Sequence, residues 1–204
     1  MNIDIDKLDW EKGGGLLPGI VQHWRDGRVL MLGYVNRESL RVTLDGGKVT
    51  FFSRSKQRLW TKGETSGNHL LLKSVHADCD NDTLLFLVDP TGPACHRGTS
   101  TCFDADAEPE LAFLGKLDVL IEQRERDRPD GSYTTSLFEA GPRRIAQKVG
   151  EEGVEAALAA LGQSPEDLSG EAADLVYHLL VLLRSRGLGL ADVAGLLRER
   201  HGVN

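Results

Sequence analysis

The hydrophobic period of this chain changes near residue 104, and that change limits its folds more than any other feature. Ahead of it, apolar residues stand in short runs of strand length. Beyond it they recur every three or four positions. Side chains alternate faces along a strand and return to one face about every 3.6 residues along a helix. A chain of 204 residues is long enough for one or two cores. The period change therefore predicts two domains, a mostly-β (α+β) domain over residues 1–105 and an all-α domain over 111–204, joined by a linker at 106–110. The stretch from Asp104 to Glu110, small and acidic with Pro109, has the composition of such a connection.

In the first half, Gly19 to Trp24 and Val29 to Val35 flank a turn at Asp26-Gly27 and predict a hairpin. Asn36 is placed to cap a short helix ending near Leu44, with Gly46-Gly47 as its stop. Val49 to Ser53, Leu70 to Val75 and Thr83 to Val88 supply further strands. In the second half, Leu111, Leu114, Leu117, Leu120 and Ile121 form an apolar stripe, and Ser136 with Glu139 has capping-box spacing. A long helix is predicted from Pro142 to Leu161. Ser164-Pro165 starts another, with its main body from Glu171 to Arg186, and a last one covers Ala191 to Arg200.

The two halves differ in charge. Residues 1–103 carry 13 basic and 12 acidic side chains, whereas residues 104–204 carry 11 and 19. An acidic second half disfavours nucleic acid as a partner, and anionic substrates there need bridging cations. No apolar run has membrane-spanning length, and Met1 to Asp6 lacks the basic start of a signal peptide. The expected compartment is the cytoplasm. With three cysteines, Cys79, Cys95 and Cys102, a reducing compartment favours buried thiols or a metal site over a disulfide frame.

The run Asp78-Cys79-Asp80-Asn81-Asp82 carries the first metal chemistry. In an extended backbone the three aspartates would line one face and Cys79 the other. Carboxylates suit magnesium and thiolates suit zinc. An acidic surface turn is the plain alternative. A calcium loop is disfavoured, because Thr83 stands where its glycine is needed and Leu84 to Val88 is a strand run. Cys95 and Cys102 are too widely spaced for a zinc-ribbon knuckle, yet three thiolates with an open position meet the needs of a catalytic zinc. Buried inert cysteines are the plain alternative. The stretch from Ser53 to Asn68, with four basic residues, several hydroxyls and two glycines, has groups suited to a phosphate, or is simply a basic loop. It is neither a P-loop nor a serine-hydrolase elbow.

A second carboxylate set lies on the predicted helices. Glu151, Glu152 and Glu155 share a face, and Glu171 and Asp174 follow at a spacing of three. Antiparallel packing would bring all five together, where their repulsion calls for a divalent cation. Helical glutamates facing solvent are the ordinary case. Here the apolar neighbours, Ala156 to Ala160 and Leu175 to Val181, argue for partial enclosure. Lys148, four before Glu152, can pair with it or meet a phosphate.

Taken together, these motifs resemble the bifunctional phosphoribosyl-AMP cyclohydrolase/phosphoribosyl-ATP pyrophosphohydrolase family of histidine biosynthesis. The resemblance covers nearly the whole chain. It rests on Val29 to Asn36, Ser53-Arg54-Ser55, Leu59-Trp60, Lys62 to Asn68, Asp78 to Asp82, Gly92 to His96 and Cys102-Phe103, and on Glu151-Glu152-x-x-Glu155 and Glu171-x-x-Asp174. Thr61 and Thr101 depart from it, standing where histidine and serine are usual.

The resemblance implies magnesium at Asp78, Asp80 and Asp82, zinc at Cys79, Cys95 and Cys102, and a zinc site shared across a homodimer. It implies nucleotide binding by Ser53, Arg54, Ser55, Lys62, Gly63, Glu64, Thr65, Ser66, Gly67 and Asn68, with His96 as a proton-transfer candidate. In the helical, pyrophosphatase-like half it implies magnesium at Glu151, Glu152, Glu155, Glu171 and Asp174, with Glu152 and Glu155 as catalytic candidates. The implied substrates are phosphoribosyl-ATP, which loses pyrophosphate, and phosphoribosyl-AMP, whose purine ring is opened between N1 and C6 by zinc-activated water.

Overall fold

A computed structural model describes residues 3–103 and 109–202. It divides into two compact units, Met1–Ala112 and Phe113–Asn204. The first is β-rich and the second helical. Most of the expected linker, 106–110, lies outside the described residues.

The first unit contains β1 (Leu17–His23), β2 (Val29–Val35), α1 (Arg37–Gly46), β3 (Thr50–Ser53), β4 (Arg58–Thr61), β5 (Leu70–Ala77) and β6 (Leu84–Pro90). A four-stranded sheet runs in the order β2-β1-β6-β5, and β3 and β4 form a separate ribbon. The β1–β2 and β5–β6 pairs are antiparallel, whereas β1 and β6 are parallel. Alternation decides which side chains enter the core. Leu17 and Val21 on β1 and Leu84, Phe86 and Val88 on β6 are fully buried. Burial of side chains this size stabilises the fold by roughly 1.5–3 kcal/mol each.

Asn36 caps α1 by accepting the Ser39 N–H, and the helix closes at Gly47 in the left-handed region, as the sequence predicts. The buried Thr43 hydroxyl accepts the Thr50 N–H at 2.9 Å and so joins α1 to β3. The loop expected between Ser53 and Asn68 contains β4, paired with β3 from Thr50↔Thr61 to Ser53↔Arg58.

Asp78 to Asp82 is not an extended strand. It is the turn between β5 and β6, with Asn81 at φ 61°. The Asp78 carboxylate accepts the N–H groups of Asp82 and Thr83 at 3.0 and 3.1 Å, so a side chain takes the place of a strand partner and bends the backbone. The alternation expected of the aspartates and Cys79 therefore does not hold.

The second unit contains α2 (Ala112–Asp127), α3 (Tyr133–Ala140), α4 (Pro142–Gly162), α5 (Pro165–Arg184) and α6 (Leu190–His201). Ser164 caps α5 with a reciprocal bond from Ser164 N–H to Asp167. Ser136, expected as a cap, lies inside α3, whose cap is Ser132. The predicted leucine stripe is only partly internal: within α2 Ile121 is buried and Leu117 packs on the core while Leu120 is exposed, and Leu111, just ahead of the helix, is exposed too. Ile121, Leu137, Ile145, Leu180 and Val181 form the centre of this unit. Among the described residues, no helix is long and apolar enough to cross a membrane.

Candidate metal centres and nucleotide pocket

Three groupings of chemically active side chains emerge. The first is the β5–β6 turn, where oxygen atoms of Asp78, Asp80 and Asp82 all lie within 4.8 Å of one another. Such a set suits a hard divalent cation. The turn already holds a positive charge: Lys12 Nζ lies 2.6 Å from Asp80 Oδ2 and contacts Asp82 Oδ2. The bond from Lys12 holds the Asp82 carboxyl below its usual range, assisted by the Thr83 hydroxyl. A cation therefore suits this donor set, and an ammonium stands in for one. Nothing in the local spacing marks Lys12 as a partner, because it lies 68 residues from Asp80.

The second grouping is a pocket of about 330 Å³. One wall comes from the segment after β4, with Trp60, Lys62, Gly63, Glu64, Thr65, Ser66 and Asn68. The other comes from the cysteine loop, with Pro93, Cys95, His96 and Gly98. Gly63, at φ 89°, cannot carry a side chain, since a Cβ would sit 2.4 Å from the Asn68 carbonyl oxygen. Lys62, a lining residue, is only 8% exposed. Glu64 is paired with Arg58 at 2.6 Å. Of the predicted nucleotide-binding residues, Ser53, Arg54, Ser55 and Gly67 do not line this pocket. Arg54 lies over the Tyr34 ring at 3.8 Å.

Cys95 is buried and Cys102 exposed, and the two thiols interact. The Arg97 N–H lies 3.5 Å from Cys95 Sγ and, with Thr99, shifts the Cys95 thiol toward thiolate. Partial desolvation of the sulfur, followed by the neighbouring Cys95, pushes Cys102 the other way. His96 Nδ1 is 3.9 Å from Cys95 Sγ.

The loop is tied to β2. Cys102 N–H donates to the Leu30 carbonyl at 2.7 Å, and the Thr101 hydroxyl donates to Val29 O at 2.8 Å. A threonine hydroxyl thus does here what a serine hydroxyl can. Arg28 adds a bond to Ser100 at 3.0 Å while Asp26, almost wholly buried, grips its guanidinium. Thr61, the other departure, bonds the Thr50 hydroxyl at 2.9 Å. Cys79 is exposed in the β5–β6 turn, and the three cysteines do not form a common cluster among the described residues.

The third grouping lies between α4 and α5. Glu152, Glu171 and Asp174 bring oxygen atoms within 4.8 Å of one another. Glu152 is 4% exposed, and Lys148 Nζ lies 2.6 Å from its Oε1. That bond holds Glu152 below the usual carboxylate range. Burial, together with Glu152 and Glu171, pushes Glu155 upward. Adjacent carboxyls driven in opposite directions are suited to different protonation roles. Glu151 is engaged elsewhere, by Lys148 at 3.1 Å and Gln147 at 2.7 Å.

His178, which no motif singles out, is buried beside this set, with its Nδ1 3.7 Å from Glu152 Oε1. Its Nδ1 is 2.8 Å from the Asp174 carbonyl oxygen and its Nε2 is 3.1 Å from the Tyr133 hydroxyl. A Nδ1–H donated to that carbonyl leaves Nε2 to accept from Tyr133. The nearest signal is its position four residues after Asp174 on a helix.

Comparison with known proteins follows the same division. A family model described as phosphoribosyl-AMP cyclohydrolase matches residues 31–104, and one described as phosphoribosyl-ATP pyrophosphohydrolase matches residues 114–201. A histidine biosynthesis bifunctional protein HisIE from Xanthomonas campestris pv. campestris is 61% identical over 197 residues, covering 97% of this chain and 94% of that protein. The protein of the same name from Escherichia coli K12 is 58% identical over 195 residues, covering 96% of each. That from Vibrio cholerae is 57% identical over 198 residues, covering 96% and 94%.

Proposed function

The chain belongs to the bifunctional phosphoribosyl-AMP cyclohydrolase/phosphoribosyl-ATP pyrophosphohydrolase family of histidine biosynthesis, and on that premise we propose how its two halves divide the chemistry. The helical unit hydrolyses phosphoribosyl-ATP. Water attacks the α-phosphorus, the bond to the bridging oxygen breaks, and phosphoribosyl-AMP and pyrophosphate result. The β-rich unit then adds water to C6 of phosphoribosyl-AMP, and the N1–C6 bond breaks as N1 takes up a proton.

The observation that carries this division is the donor chemistry. The helical site has carboxylates, whereas the first unit offers carboxylates at Asp78, Asp80 and Asp82 and thiols at Cys95 and Cys102. In the helical unit Glu152, Glu171 and Asp174 would hold magnesium, with Glu151 and Glu155 completing the set. Bound there, magnesium supplies charge neutralisation for a triphosphate. Lys148 is placed to meet a phosphate oxygen if Glu152 turns to a cation.

In the first unit Asp78, Asp80 and Asp82 would hold magnesium, and Cys79, Cys95 and Cys102 would hold zinc. Bound zinc supplies the electrophilic field that makes water acidic near neutral pH. His96, lining the pocket beside Cys95, is placed to move a proton between water and N1. Lys62, Thr65, Ser66 and Asn68 would bind the nucleotide from the opposite wall, with Gly63 allowing the close turn between them.

Among the described residues the three thiols form no common cluster, which fits a zinc site completed by a second copy in a homodimer. The helical unit supplies an independent reason for pairing. Val154, Leu158 and Leu161 leave an exposed apolar stripe on α4 at helical spacing. The test is an assay with two readouts. Purified chain given zinc, magnesium and phosphoribosyl-ATP should release pyrophosphate and then shift its ultraviolet absorbance as the ring opens. Metal-loaded, folded protein that does neither would sink the proposal.

A further inference from the structure

Lys12 has no part in the chemistry above, yet it occupies the acidic turn of the first unit. We infer that Lys12 is a tethered counter-cation of the Asp78–Asp80–Asp82 site, which a divalent ion must displace in order to bind. This rests on the magnesium role proposed for those aspartates.

Several contacts place the ammonium there. Lys12 Nζ lies 2.6 Å from Asp80 Oδ2 and also contacts Asp82 Oδ2. Two further oxygens of the turn are bonded within it: Asp82 Oδ1 accepts the Thr83 hydroxyl at 3.0 Å, and Asp78 Oδ1 accepts two backbone N–H groups. The ammonium thus bridges two of the three carboxylates that lie within 4.8 Å of one another, and a cation drawing on Asp80 Oδ2 or Asp82 Oδ2 competes with it for those atoms.

The tether is built into the fold. Leu8 and Trp10 are buried, at 5% and 4% exposure, and fix the segment ahead of Lys12 in the core. Asp9 N–H donates to the Asn81 carbonyl at 2.8 Å, joining that segment to the metal turn itself. Lys12 N–H donates to Asp9 Oδ1 at 3.1 Å. The backbone thus delivers the lysine stem to the turn.

A fixed positive charge at this site has two effects. It relieves repulsion among the three carboxylates without a metal, and it lowers the affinity for any ion that must replace it. Because the ammonium remains attached after displacement, it stays near the site and continues to oppose the bound cation.

The test measures metal binding directly, in the full-length protein. Glu152→Gln weakens the helical site and serves as the parent, and free Mn²⁺ is followed by electron paramagnetic resonance. The binding lost on adding Asp80→Asn defines the turn site. Lys12→Met should tighten Mn²⁺ there on the order of tenfold, and Lys12→Arg, which keeps the charge, should stay within about twofold of the parent. The side chain is half exposed, so folding should survive either change, with circular dichroism as the check.

Equal or weaker Mn²⁺ binding in Lys12→Met overturns the role of Lys12 while leaving the metal site in place. Equal tightening in Lys12→Arg also overturns it, because charge would then not be the cause. If Asp80→Asn removes no binding at all, the aspartate metal site and the counter-cation fall together.

Discussion

Cys95→Ser should lower ring opening of phosphoribosyl-AMP on the order of 10³-fold and leave pyrophosphate release from phosphoribosyl-ATP within about twofold. The loss corresponds to about 4 kcal/mol of transition-state stabilisation. Cys95 is the thiol that its surroundings shift toward thiolate, through the Arg97 N–H. A serine hydroxyl is nearly the same size but remains protonated near neutral pH, so it loses the soft anionic donor without opening a cavity.

The loop should keep its shape, because the bonds that tie it together at Cys95 and Cys102 are backbone to backbone and a serine hydroxyl can still accept the Arg97 N–H. Cys95 N–H donates to Thr99 O at 3.0 Å, and Cys102 N–H donates to Leu30 O at 2.7 Å. Parallel measurement of the two reactions separates catalysis from structure. Loss of ring opening with an unchanged melting temperature assigns a catalytic zinc, whereas melting of the first unit would make the metal structural.

Glu152→Gln should do the converse, reducing pyrophosphate release on the order of 10³-fold while added phosphoribosyl-AMP is still opened at near the parent rate. Glu152 is the most enclosed of the clustered helical carboxylates, and its contact with Lys148 keeps it ionised. Glutamine preserves the volume but removes the negative charge. Lys148 retains Glu151 at 3.1 Å, so the substitution does not strand its ammonium. This background is the same one in which the Lys12 substitutions are measured. If both reactions fail together, the two sites are not independent and the division of labour is wrong.

How much of this was legible in the sequence depended on whether the cause was local. Asn36 and Ser164 were readable as caps because a cap acts within three residues, and both serve as such. The long helix α4, ending at Gly162, follows an apolar periodicity visible without any partner. The parallel pairing of β1 with β6 was not legible, since Ile20 meets Leu85 across a separation that no local pattern encodes. The turn at Asp78 failed for a different reason. Alternating aspartates read as a strand, but aspartate and asparagine side chains also bond nearby backbone, and there that tendency won.

The candidate site shows the same divide. Asp78, Asp80 and Asp82 are near neighbours in sequence and come together. Of the five helical carboxylates, Glu152, Glu171 and Asp174 meet across α4 and α5, while Glu151, one residue from Glu152, is drawn to Lys148 and Gln147. A spacing rule puts side chains on a face but does not decide which of two adjacent glutamates points inward. Lys12 and His178 were missed because their roles exist only through tertiary contacts.

In the proposed ring-opening site Cys79 comes from one copy and Cys95 and Cys102 from another. The direct measurement uses mixed dimers of Cys79→Ser and Cys95→Ser chains, coexpressed with different tags and isolated by both. Each parent variant alone should be inactive in ring opening. A mixed dimer contains one complete set of three thiols, so it should recover about half the wild-type rate per dimer. Mixed dimers as inactive as either parent would contradict a shared site.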